Sequence, residues 1–586
     1  MKFKLCLHNV VVSAAFFAVA VSVSAADTNA PTIRELADGY VPSSECRECH
    51  EKNFASWHHT FHRTMTQAAT REAVLGDFTT NNTLTYLGVK AEMVRTTNGF
   101  AMRLQDQQGK MQQLAIDRVV GSHRIQQYLT RDGTRYVRLP VAYDLMQHRW
   151  MHLNGSFFHP DGDDYRQPVV EWNSNCIFCH NVKAQPGYDW TQKTWNSRVA
   201  ELGIACGACH GPGQEHIAAA RSPESQAHWA AAKSGEADTH IINPAHLDSD
   251  RAMQICGHCH GQRVPEPIDR IREIMSAGDP YDAGKNLREF FKPVQRDTKV
   301  GPESFASRFW ADGSPRLSAY EYQGLLRSKC LVAGEPGKRI TCITCHSMHG
   351  GDVNGQITEA NRGNIACLSC HQQFSVPAAL VAHTQHQSGP GAPLCYDCHM
   401  PRIVYGVMSP LRTHDISIPR PQDTVTFGKP NACNQCHLDQ SVNWAIGQTR
   451  RLWPKEFSAA KRSEDSQFDS PEGARALFAG DALVRGLTAA ALNPTAAGRM
   501  KPAFATPLLL EALRDNYPIV RYFAANSLEQ INPQLPKPDY LGTTAGRALA
   551  IARWKATLDP SSQTNAAALA NQLGLKKVNV DISVGE

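Results

Sequence analysis

A mainly α, loop-rich fold with a β-rich insert and a C-terminal helical domain is predicted from three observations. The five-residue pattern Cys-x-x-Cys-His occurs eight times between Cys46 and His437. Between residues 77 and 170 the pattern is absent and short β-like runs alternate with turn signals. Beyond residue 440 it does not return, and apolar residues recur at helical spacing.

The pattern comprises Cys46, Cys49 and His50; Cys176, Cys179 and His180; Cys206, Cys209 and His210; Cys256, Cys259 and His260; Cys342, Cys345 and His346; Cys367, Cys370 and His371; Cys395, Cys398 and His399; and Cys433, Cys436 and His437. From 18 Cys and 25 His in 586 residues, chance would supply on the order of 0.02 such motifs. Disulfide frameworks and zinc sites are the alternatives for so many cysteines, but neither requires a His directly after the second Cys. Cys-x-x-Cys-His is the attachment signature of c-type haem. The two thiols bond to the porphyrin vinyl groups and the adjacent His binds iron from the proximal side. Eight covalently attached haems c are therefore expected, and the eight motif histidines are their proximal ligands. Each haem brings a large apolar surface, so the segments around it need little regular structure of their own.

The N-terminus carries Lys2 and Lys4, an apolar run from Val10 to Val23, and Val23-x-Ala25. Residues 1–25 are thus expected to be a secretory signal, taking Cys6 with them and placing the mature chain in the periplasm or outside the cell. No later segment is apolar for long enough to span a membrane, so no integral membrane segment is expected in the mature chain. The formal charge is +5 at pH 7. Losing two lysines and adding haem propionates would move it to about −5 oxidised and about −13 reduced, which suits basic or acidic redox partners and gives no pointer to nucleic acid.

Residues 26–76 hold the first haem segment. The stretch CRECHEKNFASWHHTFHRTM from Cys46 reads as a haem site followed by a helix carrying His58, His59 and His62. It resembles the first haem segment of the cytochrome c-554-type tetrahaem cytochromes of ammonia oxidisers, which implies His62, after Trp57, as a distal ligand. In the β-rich insert, 77–170, hairpins are predicted around Asn98-Gly99 and Asp132-Gly133. Val119 to Leu129 resembles a segment of large multihaem cytochromes between the first and second haems. His123 within it is either a sixth ligand or a surface residue, and His148, His152 and His159 have less support.

Residues 171–264 hold haems two to four. Gly211-Pro212-Gly213-Gln214-Glu215-His216 resembles the G-P-G-x-x-H of multihaem cytochromes, which implies His216 as a ligand to a neighbouring haem. His246 is weaker, and His258, inside the fourth motif, reads as structural. The haem-free connection 265–335 ends near Cys330, which is a buried small hydrophobe, a reactive thiol or a haem ligand. Residues 336–440 carry haems five to eight. Cys345-His346-Ser347-Met348-His349 resembles the paired-CxxCH module, implying His349 as a distal ligand. One of His383 and His386 is expected as another, and His414 is placed for the last pair. In 441–586, Ser470-Pro471-Glu472 and Thr506-Pro507 are predicted helix starts. Apolar stripes on both sides of Asn516-Tyr517-Pro518 suit either a HEAT-type repeat or a helical cap on the haem region.

The resemblances identify an octahaem member of the multihaem cytochrome c group. Electron transfer between respiratory donor and acceptor proteins is the first expectation, with possible docking through the helical tail. The alternative is a multihaem oxidoreductase acting on nitrite, hydroxylamine or tetrathionate at one open haem. Enough His remain beyond the proximal eight to give every iron a second imidazole, and iron held by two His has no open position.

Overall fold

The structure, a computed structural model, describes residues 38–105, 109–162, 170–231, 238–335, 339–493, 501–580 and 582. The expected signal, with Cys6, lies outside them. The fold is mixed rather than mainly α, at 39% helix and 17% strand. The haem segments are less helical than expected because each motif uses only about one turn.

The insert is two antiparallel sheets. One has the order β2 (Thr83–Tyr86), β3 (Val89–Thr96), β4 (Gly99–Gln105), β5 (Met111–Ala115). The other runs β1 (Thr66–Ala68), β6 (Arg118–Val120), β7 (Ile125–Asp132), β8 (Arg135–Asp144), β9 (Arg149–His152). Alternation drives it: Leu84 and Tyr86 are buried while Thr83 and Thr85 are exposed. The first hairpin turns one residue earlier than predicted, at Thr97-Asn98, since Thr96 already pairs with Gly99. The second turns at Gly133-Thr134, where Gly133 supplies a φ of +59°.

The tail is helical over Glu472–Ala479, Ala482–Ala491, Pro502–Ala512, Pro518–Ile531, Thr544–Lys555 and Pro560–Gly574. Two predicted starts move. Pro471 takes the N-cap position with no side-chain cap from Ser470. Pro507 lies inside a helix that begins at Pro502, its apolar run outweighing the missing N–H. The tail's inner face shares one continuous core with the insert and with the 265–335 connection, including Met93, Trp150, Trp310, Leu509 and Phe523. Buried Arg521 pairs with Asp161 through both carboxylate oxygens, at 2.9 and 3.0 Å, and also donates to the Tyr540 and Asp515 carbonyls. Among the described residues no helix is long and apolar enough to cross a membrane.

Candidate haem sites

Each motif lies on a single helical turn. The His50 N–H donates to the Cys46 carbonyl at 2.9 Å, and His180, His260, His346, His371 and His437 repeat the bond to their own first cysteine. His210 and His399 end the short helices Cys206–His210 and Cys395–His399. Positions i, i+3 and i+4 of a turn share one face, so both thiols and the imidazole of a motif are directed to the same side. None of the described cysteines is in a disulfide.

All eight motifs line one cavity of about 3250 Å³. An ordinary ligand pocket holds about 300–1,000 Å³. Its wall is mostly apolar, as porphyrin faces require.

Thiols of different motifs meet. Cys46 lies beside Cys206, Cys179 beside Cys259, Cys256 beside Cys342, and Cys367 beside Cys395. Cys209 lies within electrostatic range of Cys256, Cys345 of Cys370, and Cys398 of Cys433. The motifs therefore succeed one another in space as first, third, fourth, fifth, sixth, seventh and eighth, with the second beside the fourth. Nothing in the sequence order signals this branch.

The histidines form six facing pairs. His50 stands 6.1 Å from His216, ring centre to ring centre, and His62 stands 6.1 Å from His260. His210 and His349 are 6.3 Å apart, as are His346 and His414. His383 lies 6.1 Å from His399 and His386 lies 6.2 Å from His437. Two imidazoles sharing one metal, with bonds of about 2 Å each and a little over 1 Å from nitrogen to ring centre, would have centres roughly 6.3 Å apart. The donor set and its spacing thus fit iron held between two imidazoles. Burial lowers the pKa of His210, His346, His383 and His414, and takes His62 down to about 4, which leaves the neutral imidazole that binds metal. His260 goes the other way, to about 9: burial opposes the rise, but the Glu321 carboxylate beside its ring outweighs it.

Several expectations change. The helix after the first motif spans Glu51–His58, so His59 and His62 follow it rather than lie on it. His62 is instead positioned by long-range contacts: its carbonyl accepts from the Ile204 N–H, and the Ile204 carbonyl accepts from the Trp57 indole at 2.9 Å. His58 and His59 are exposed. Among the described residues His123 faces no histidine; it stacks on Phe61 at 4.2 Å. Both His383 and His386 stand opposite proximal rings, where only one was expected. His414 faces the fifth motif instead of the last pair, because its segment packs against the helix Glu321–Arg327. His152 is buried against Tyr86 in the insert, and His258 bonds Asp279 at 2.7 Å. Cys330 is half-buried in the cavity wall near Cys345, Cys367 and Cys370, and burial raises its thiol pKa. Among the described residues, no second imidazole stands at this spacing from His180 or His371.

Residues 335–376, which contain the fifth and sixth motifs, match the doubled CXXCH motif family. No curated protein matches the chain. Among solved structures, one described as outer cell wall cytochrome OcwA is 17% identical, with 84% of this chain and 100% of that one covered and a TM-score of 0.47. An undecaheme cytochrome from the S-layer of Carboxydothermus ferrireducens is 15% identical, with 86% of this chain and 71% of that one covered and a TM-score of 0.32.

Proposed function

We propose that this multihaem c-type cytochrome passes electrons along eight covalently bound haems between a donor and an acceptor protein, outside the cytoplasm. The six imidazole pairs at 6.1–6.3 Å carry the reading. Iron held between two imidazoles has no vacant position, so when bound it supplies reversible one-electron chemistry and no substrate site. The motif cysteines hold the porphyrins, and the proximal and distal histidines hold the irons. The meeting thiols make successive haems neighbours, which supports a continuous path with a side branch at the second haem. Export follows from the expected signal at 1–25. Docking through the tail would use the outer faces of Thr544–Lys555 and Pro560–Gly574, since its inner face packs on the insert.

A second reading is favoured at two places. An iron held by His180 or His371 without a second imidazole would keep one face for a small ligand, which suits a reductase or oxidase of nitrite, hydroxylamine or tetrathionate. Electron paramagnetic resonance of the oxidised protein separates the readings, with haem counted by pyridine haemochrome. Eight haems, all low-spin and unchanged by these compounds, would leave the carrier alone. A high-spin signal altered by one of them would establish the open site. Fewer than eight haems would overturn the count.

A further inference from the structure

We propose that Glu321 is a positioning residue that sets reduction potential, holding the haem of Cys256, Cys259 and His260 at a lower potential than haems whose ligands are backed by peptide carbonyls. The inference rests on the reading of His62 and His260 as one axial pair.

Glu321 begins the helix Glu321–Arg327, which packs beside the fourth motif. Its Oε2 lies 3.6 Å from His260 Nδ1 and, although buried, has no hydrogen-bond partner. A buried carboxylate without a donor is costly, so the His260 ring N–H is the group that compensates it. Four other ligand rings present the same nitrogen to a neutral acceptor, whereas His216 presents its own to the Asp238 carboxylate at 2.5 Å. His210 Nδ1 lies 2.7 Å from the Ile242 carbonyl, His346 2.7 Å from that of Gly355, His399 2.9 Å from that of Ser417, and His386 2.6 Å from that of Thr384. A full negative charge behind the ring raises its basicity and favours the ferric state over the ferrous one. The low local dielectric strengthens that preference.

The same carboxylate lies within electrostatic range of His414, which faces His346. Because Cys256 meets Cys342, the haems of the fourth and fifth motifs are neighbours. One side chain thus biases both, and it sits where the side branch joins the path.

The test compares full-length holoprotein with Glu321→Gln and Glu321→Asp by spectropotentiometry, after haem counting and electron paramagnetic resonance. In Glu321→Gln, one or two of the eight one-electron components should move upward by at least tenfold in the redox equilibrium, which is about 59 mV for one electron. Glu321→Asp keeps the charge but draws it back, and should move the same components less. Unchanged midpoints in both variants, with haem count and spin states as in wild type, would overturn the proposal. Should Glu321→Gln fail to assemble, unchanged midpoints in Glu321→Asp would overturn it alone. A His62→Ala protein that keeps every low-spin signal would instead overturn the axial pairing beneath it.

Discussion

The imidazoles of His383 and His399 lie 6.1 Å apart and within 7° of parallel. His383 is near the end of the helix Pro377–Thr384, which closes on Gln385 at φ +57°. Its carbonyl accepts from the Trp453 indole at 2.9 Å, and its ring rests on Phe374 at 4.3 Å. Its backbone and its ring are thus each held in place. Replacing His383 with Ala should convert one low-spin ferric centre to high-spin while the haem count stays constant. A low-spin spectrum identical to wild type would remove His383 from the ligand set.

Ring angle gives a second prediction. His62 and His260 are crossed at 66°, whereas the other five facing pairs lie within 30°. Parallel imidazoles split the two iron dπ orbitals, and crossed ones bring them back together. The oxidised protein should show one strongly anisotropic low-spin signal beside several rhombic ones, and His62→Ala should abolish that one alone. Loss of a rhombic signal instead would contradict the pairing.

Gly203 is the point where the loop before the third motif crosses the chain after Trp57. It has φ +75°, and a Cβ there would fall 2.1 Å from the Arg63 carbonyl oxygen. Gly203→Ala should therefore push apart the contact between Ile204 and His62, lowering stability by about 1–3 kcal/mol. Melting temperature and the anisotropic low-spin signal are the two readouts, and a variant that changes neither would show that this crossing does not position His62.

Attachment chemistry was legible because it fixes three residues within five positions, and the insert's strands because turn signals such as Asn98-Gly99 and Asp132-Gly133 separate short β-like runs. The pairing was not. His62 meets His260 and His210 meets His349 across long stretches of chain, so the partner is chosen by tertiary packing that no local pattern encodes. The Thr506-Pro507 start failed for a related reason: a proline that resembles a helix opening is carried inside a helix whose apolar face is buried. The tail's stripes were visible in sequence, but not the fact that the β-rich insert covers them.

Asp77 gives a pH prediction far from the haems. It accepts from the backbone N–H groups of Thr79, Thr80 and Asn81, each at 2.9 Å, and from the Thr80 hydroxyl. These bonds, the Thr80 hydroxyl foremost, hold its carboxyl well below the usual carboxylate range. A depressed folded-state pKa contributes stability above the unfolded value of about 3.9 and loses it as pH falls below that. Asp77→Asn should lower the melting temperature at pH 7, and the gap from wild type should close as pH falls below about 4. A gap independent of pH would assign the effect to shape rather than charge.

Arg521 and Asp161 fasten the helical tail to the insert. The guanidinium side chain is fully buried, and Asp161 retains 27% of its side-chain exposure. Removing one partner of a buried pair costs about 3–5 kcal/mol because the other is left uncompensated. Water can reach Asp161, so Arg521→Met should fall at the lower end of that range. Its other bonds, to the Tyr540 and Asp515 carbonyls, would be lost with it. Arg521→Lys should recover little, since an ammonium cannot reproduce the two-pronged contact. Haem count and low-spin spectra should be unchanged, while proteolysis should release the 441–586 segment faster. A tail equally resistant in Arg521→Met would mean that the shared apolar core alone holds it, and that the ion pair only sets the angle at which it sits.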